Sequence, residues 1–341
     1  MLNSSNKKLL DTLILDQKNV DQELYSAGPY WKSKNSKTIL ELKKKGLTDF
    51  RGLKSGVSTS FSDNLVYDVR NEFNLKGRII GKTFYELPYI KKIFDAQLKL
   101  TSNYINRYLK YLSIIYPSNK KVIELIRKYK FEQTTKFGAI QVFEFENMNY
   151  STQYLQMAYR IDQLSKFCDF NKINSLFEIG GGFGSNIHFL LTNFKNIKKI
   201  IYIDIVPNIF VGTQYLKSIF GDKVKDYLYF KDKYDICFEE NDEVEIYCLP
   251  SWMIERLKTK IDHFHNASSF VEMPDKVIKN YVSYLKTFEI KEISLVSYGS
   301  HNTRTTFNPE KLNSFFDNQL KHQWIEGLIK DFDRDLILLS N

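Results

Sequence analysis

Apolar positions change their spacing along this chain. Before residue 150 they recur at three and four, the period of helices that bury one face. Leu9–Asp16 and Ser36–Lys45 carry this spacing. Residues 89–113 carry it too, with Ile90, Ile93, Phe94, Leu98 and Tyr104 near one face, and a further helix is predicted over 118–130. Residues 46–82 are rich in Gly, Ser and Asn and read as irregular, while GAIQVFEFE at 138–146 alternates like a strand or hairpin arm. A helix over 151–168 places Tyr154, Met157, Ala158, Ile161 and Leu164 on one stripe. Strand-like runs then appear at 175–180, 199–205, 244–249, 261–266 and 292–299, separated by helical patterns at 184–194, 208–220, 251–258 and 273–287. Strands alternating with helices predict an α/β fold with a parallel sheet and crossover helices. Segments 320–326 and 333–340 can add an antiparallel pair. The expected organisation is a mainly helical region, 1–150, followed by a nucleotide-binding α/β domain, 151–341.

The segment Leu176–Gly184 reads LFEIGGGFG. An apolar strand leads into Gly180, Gly181, Gly182 and Gly184, and a helix follows at once. Glycines here let the backbone turn sharply and approach a ligand where a Cβ would clash. Two acids narrow the choice of ligand. Glu178 precedes the first glycine by two residues, a poor neighbour for a pyrophosphate but a suitable one for the ammonium of an amino-acid-like ligand. Asp204 lies 20 residues beyond Gly184, at the end of the second strand, where a carboxylate accepts hydrogen bonds from ribose hydroxyls. Together they favour S-adenosyl-L-methionine, with S-adenosyl-L-homocysteine as product, over a dinucleotide. A purely structural turn and a dinucleotide enzyme remain the alternatives. The lysine-free turn excludes a phosphate-cradling G-x-x-x-x-G-K-[ST] loop.

Composition adds a few limits. Hydrophobic residues make up 43% of the 341 and charged residues 26%, as in globular proteins. Three cysteines, Cys168, Cys237 and Cys248, match no metal or redox spacing and suggest a reducing cytoplasm. No secretory leader and no membrane-spanning run is evident, which leaves only peripheral contact with a membrane open. The net charge of +9 is spread among acids, so it reads as a solvated basic surface or as preference for an anionic substrate.

The string EIGGGFGSNIHFL resembles motif I of class I S-adenosylmethionine methyltransferases. IYIDIVPNIFVGTQYLKSIFG (201–221), LPSW (249–252), HNASSFVEMPDKVIKNYVSYL (265–285) and the helix carrying Tyr154 resemble the sugar O-methyltransferases of bacterial surface-polysaccharide gene clusters. The resemblance covers about 150–300 well and the N-terminal half only loosely. It implies a Rossmann-like class I methyltransferase domain with helices on both faces of the sheet. It also implies cofactor contacts from Tyr154, Pro250, Trp252 and Asn266, and an acceptor contact from Ser269. His265 departs from the aliphatic residue expected before Asn266.

Methyl transfer to a hydroxyl needs an aligned acceptor and, usually, a base. Glu272, after the fourth strand, fits as base or hydroxyl acceptor, while the Ser269-x-x-Glu272 spacing equally fits a helix-capping box. His301, after the fifth strand, is a second candidate base or a solvated loop residue. Arg304 can hold an acceptor phosphate or carboxylate. Asp262, His263 and His265 hint at a metal, but no third ligand has a motif spacing, so core packing is expected and no metal is assigned. The expected activity is O-methylation of a sugar hydroxyl on a nucleotide sugar or lipid-linked glycan. Rival readings are methylation of nucleic acid or another small molecule, and a non-catalytic cofactor-binding scaffold. Against nucleic acid, no concentrated basic face and no N-P-P-Y or D-P-P-Y string is present.

Overall fold

The computed structural model describes residues 2–48, 50–52, 120–139, 143–301, 304–326 and 334–340. The predicted helix over 89–113 and nearly all of the irregular stretch 46–82 lie outside these residues. Among the described residues four α-helices precede residue 150: α1 (Ser4–Asp16), α2 (Gln22–Tyr25), α3 (Pro29–Lys45) and α4 (Lys120–Lys128). The alternating segment near 140 becomes a hairpin of β1 (Phe143–Phe145) and β2 (Met148–Tyr150). Helix α3 begins earlier than its apolar spacing suggests, because Pro29 supplies a fixed φ at the first helical position, after Gly28.

After α5 (Thr152–Leu164) come β3 (Ser175–Ile179), α6 (Ser185–Asn193), β4 (Lys199–Asp204) and α7 (Asn208–Phe220). They are followed by β5 (Val224–Lys225), α8 (Tyr227–Phe230), β6 (Glu245–Pro250), β7 (His263–Ala267), α9 (Asp275–Leu285) and β8 (Glu292–Tyr298). The strands β9 (Lys321–Glu326) and β10 (Arg334–Leu339) close the sheet. The order across it is β5-β6-β4-β3-β7-β8-β10-β9. All neighbours are parallel except β10, which runs antiparallel to both β8 and β9. This is the Rossmann-like class I methyltransferase architecture, with one short extra edge strand, β5. The reversal of strand order at β3 opens the crevice in which such sheets place their ligands.

Burial explains the sequence pattern. Every residue of β3, β4 and β6 is buried, as expected for parallel strands covered on both faces. The expected helix over 251–258 is a 3-10 segment, Ser251–Arg256, and the one expected over 273–287 starts only at Asp275, after Pro274. The N-terminal helices share this core. Leu9, Leu10 and Leu13 of α1 are buried in the same cluster as the sheet, and Asp16 accepts hydrogen bonds from Tyr227 Oη at 2.7 Å and contacts Lys231 Nζ at 2.8 Å. No described helix is long and apolar enough to cross a membrane.

Helix α5 is fastened to the antiparallel end of the sheet by a fork. Arg160 Nε and Nη2 donate to the two carboxylate oxygens of Asp335 at 2.7 and 2.8 Å, and Asp335 is only 4% exposed. Removing the acid takes both charge-assisted bonds from a partly buried guanidinium, so Asp335→Ala should cost about 3 kcal/mol in urea unfolding. A change below about 0.5 kcal/mol, the usual range for surface substitutions, would assign the pair no structural role.

Candidate active site

The glycine-rich turn joins β3 to α6 at the carboxyl edge of the sheet. Gly180, Gly182 and Gly184 have φ of +74°, +63° and +86°, a region that side chains with a Cβ rarely enter. Gly181 is small for another reason: a Cβ there would stand 2.5 Å from Glu178 Oε2. A Cβ on Gly180 would overlap Ser269 Oγ. The turn is also held by its hydrogen bonds. Tyr202 Oη donates to the Gly182 carbonyl, and Gly182 N–H donates to Asp204 Oδ2 at 2.9 Å. Tyr202 is fully buried, in space left by Gly212, where a Cβ would overlap the phenol oxygen.

Three carboxylates gather at this edge. Glu178 is fully buried, and its Oε1 accepts from Asn186 Nδ2 at 2.7 Å. Its Oε2 has no hydrogen-bond partner among the described residues. Burial pushes the Glu178 carboxyl up to about 7, the Asn186 amide opposing and the Asp204 charge adding to the shift. Asp204, 5% exposed, takes the Gly182 N–H on one oxygen and its neighbour's, Ile205 N–H at 2.7 Å, on the other. Burial also lifts it to about 7 in spite of these bonds, and the Glu272 charge raises it further. Glu272 accepts from Trp31 Nε1 at 2.7 Å and from Tyr298 Oη at 2.9 Å. It too is raised to about 7 by burial, while Trp31, Tyr298 and the nearby Arg304 favour its charged form. A carboxyl near 7 can take up or release a proton at neutral pH.

The elements bring most of the predicted residues together. Asn266, at the end of β7, donates to the Ile179 carbonyl at 2.8 Å and accepts from Phe270 N–H at 3.2 Å, tying β7 to the turn. Ser269 Oγ donates to the same Ile179 carbonyl at 3.1 Å, so its place is against the glycine turn. The Ser269–Glu272 pair therefore forms no capping box: the hydroxyl serves β3 and the carboxylate turns to Trp31 and Tyr298. Pro250 is the register partner of Asp204, and Trp252 is buried edge-on to Tyr227 at 5.9 Å. Arg304 lies over the Tyr30 ring at 5.6 Å and bonds to Tyr298.

Other predicted residues are placed differently. Tyr154 lies in an aromatic cluster with Phe131, His188 and Phe189, which gives its ring a core environment behind the turn. His301 has an exposed side chain in the loop after β8. His263 and His265 do share one face of β7, and both meet Ser294 Oγ, at 2.7 and 2.9 Å. Asp262 is turned elsewhere, accepting from Asn174 and Ser175 N–H at 2.9 and 3.0 Å and pairing with Lys291. His265 is accommodated as a neutral ring, since burial lowers it to about 3.

Sequence reasoning missed Trp31, Tyr30, Tyr298, Tyr202 and Arg51. Ala27 and Trp31 pack on Ile205, the residue after Asp204, and Asn35 Nδ2 donates to the Val206 carbonyl at 2.8 Å. Gly28 abuts Glu272, where a Cβ would overlap the carbonyl oxygen. The Gly28-Pro29 pair is a helix-start signal that would have put Trp31 on the first turn of α3, but nothing local points it at Glu272. Arg51 is fully buried, donates to the Thr134 carbonyl at 2.8 Å and lies over the rings of Phe183 at 4.5 Å and Tyr215 at 5.2 Å. It thereby backs the aromatic residue of the glycine turn from outside the sheet domain.

No protein-family model matches the chain, and no curated protein matches it. Among solved structures it is similar to magnesium protoporphyrin IX methyltransferase from Synechocystis, at 11% identity and a TM-score of 0.37 over 55% of this chain and 79% of that one. It is similar to mitomycin 7-O-methyltransferase at 10% identity and a TM-score of 0.37, over 56% of this chain and 54% of that one. A methyltransferase from Aquifex aeolicus is similar at 12% identity and a TM-score of 0.33, over 53% of this chain and 89% of that one. The strand order, and not these distant similarities, identifies the fold.

Proposed function

We propose that this chain is an S-adenosyl-L-methionine-dependent O-methyltransferase. The observation that supports it most is the buried Glu178 carboxylate, whose Oε2 has no hydrogen-bond partner among the described residues. Burying an acceptor unpaired is costly, and a ligand ammonium in this neighbourhood would remove that cost. Such a group suits a methionine moiety better than a pyrophosphate. Asp204 retains lone pairs for ribose hydroxyls beyond the two backbone bonds it accepts. Pro250 and Trp252 stand beside it for the adenine side, and Asn266 and the glycines shape the turn. When bound, S-adenosyl-L-methionine supplies an electrophilic methyl group on a sulfonium sulfur.

Glu272 is the proposed base. Trp31 and Tyr298 fix the carboxylate from two sides, and a value near 7 lets it accept a hydroxyl proton at neutral pH. Arg304 supplies positive charge beside it for an anionic acceptor, with Ser269 acting on the turn. We infer a sugar hydroxyl on a nucleotide sugar or lipid-linked glycan as acceptor, from the resemblance around 265–273. The region 1–150 then serves as the acceptor-binding part, entering the site through Tyr30 and Trp31, and 151–341 as the methyl-donor domain. His301, being exposed, is the weaker candidate for base.

Calorimetric titration should give a saturable S-adenosyl-L-methionine complex; no binding at millimolar ligand would refute the reading. Glu178→Ala should weaken that complex about 10-fold or more, the worth of one charged hydrogen bond. The pH dependence has a definite sign. Glu178 must be ionised to hold an ammonium, and its free value is about 7. Affinity should therefore be constant above that pH and fall below it, by up to about 10-fold per unit for one proton. In Glu178→Gln the fall should be shallower, and an unchanged profile would remove Glu178 from the cofactor site.

With labelled methyl donor and a panel of nucleotide sugars and glycans, Glu272→Gln should lower kcat by about 100-fold or more with cofactor affinity retained. Trp31→Phe, which deletes one donor to Glu272 while keeping an aromatic ring, should show a smaller loss and a shifted acid limb in the pH–rate profile. Full turnover by Glu272→Gln would reassign the base.

A further inference from the structure

A second cluster of reactive groups lies at the opposite edge of the sheet. One ligand atom each from Cys168, His263 and Glu292 lie within 4.8 Å of one another. His263 and Glu292 are register partners at the amino ends of β7 and β8, and Cys168 follows α5. We propose that these three residues form a zinc site, with water in the fourth position, that clamps the segment after α5 to the two strands.

Geometry supports this first. His263 Nδ1 and Glu292 Oε2 are 3.4 Å apart. Two ligands at about 2.0 Å from a tetrahedral zinc are separated by about 3.3 Å. Both atoms are buried without a hydrogen-bond partner among the described residues, and His263 is fully buried. The contact is an ion pair only with His263 protonated, whereas a metal between the two atoms would hold both with the imidazole neutral.

The donor set points to the same ion. Sulfur, imidazole nitrogen and carboxylate oxygen together suit zinc, whereas calcium and magnesium take oxygen ligands. Binding would release the Cys168 thiol proton to solvent. Thiolate and carboxylate then balance the charge of Zn²⁺, so the site is neutral and its partial burial is tolerable. The second nitrogen of His263 is already oriented. Nε2 lies 2.7 Å from Ser294 Oγ, which in turn lies 2.9 Å from His265 Nδ1. A chain in which His263 Nε2–H donates to Ser294 and Ser294 donates to His265 leaves the Nδ1 lone pair facing Cys168 and Glu292. Ligating histidines are commonly held this way. The Phe170 ring, 5.4 Å from the imidazole, walls the other side. Glu292, with a side chain 45% exposed, gives the ion a way in.

The test uses the full chain, stripped with chelator and titrated with Zn²⁺ or Co²⁺. The expected result is one tightly held ion per chain, a thiolate-to-cobalt charge-transfer band, and a raised thermal midpoint with zinc. Cys168→Ala should lose the band and the thermal shift, while Cys237→Ser, at an exposed thiol, should keep both. Ser294→Ala should bind about 10- to 100-fold more weakly. If Cys168→Ala fails to fold by circular dichroism, Glu292→Gln, at the partly exposed ligand, decides: its zinc affinity should drop about 10-fold or more. Unchanged affinity in Glu292→Gln, a cobalt complex without the charge-transfer band, or a band that survives in Cys168→Ala would each overturn the proposal.

Discussion

The site is governed by the cost of keeping charge away from water. Glu178, Asp204 and Glu272 are each at most 5% exposed, and the charge of Arg304 acts on Glu272. Neutral donors reach them as well: the Asn186 amide for Glu178, the N–H groups of Gly182 and Ile205 and the Asn208 side chain for Asp204, and Trp31 and Tyr298 for Glu272. Such donors offset part of the desolvation penalty, and the remainder appears as carboxyl values of about 7 in place of the ordinary 3.8 for Asp and 4.5 for Glu. A protein interior retains such a cost where function uses it. A cationic methyl donor is the kind of ligand that would relieve it.

The glycine turn follows from the same crowding. Glu178 occupies the space a side chain at 181 would need, and Ser269 occupies that at 180. Tyr202 and Asp204 then fasten Gly182 from the neighbouring strand, so the turn is set by packing as well as by backbone freedom. Arg51 extends this support across the molecule: its guanidinium lies over Phe183 and Tyr215 and joins the N-terminal region to the turn.

The two ends of β7 have different characters. Its carboxyl end carries Asn266, which links the strand to Ile179 and to the site. Its amino end carries His263, facing Cys168 and Glu292. His265, which breaks the expected aliphatic pattern, is thus accommodated together with His263 through Ser294, which serves both rings. An isolated pair of alternate histidines in the sequence gives no third ligand, because Cys168 and Glu292 arrive from elements distant in the chain.

Local pattern was enough for the sheet domain. Apolar runs alternating with period-3.6 segments placed β3, β4, β6, β7 and β8 to within two residues, since parallel strands covered on both faces are apolar throughout and their helices amphipathic. The glycine turn, Glu178 and Asp204 were equally legible, because a tight turn with positive φ and an acid at a strand end are local requirements. Ser269 and Glu272 were legible as candidate residues, Glu272 as base or cap, but not in their partners. Spacing allowed a cap as well as a base, and the choice of Ile179, Trp31 and Tyr298 as partners depended on contacts spanning up to 241 positions. What the sequence determined by itself was therefore the fold class and the glycine turn with its two acids. Only the tertiary structure decided that Trp31 would hold Glu272, that Arg51 would back Phe183, and that Cys168 would meet His263 and Glu292. Those contacts join segments far apart in the chain, and no periodicity encodes them.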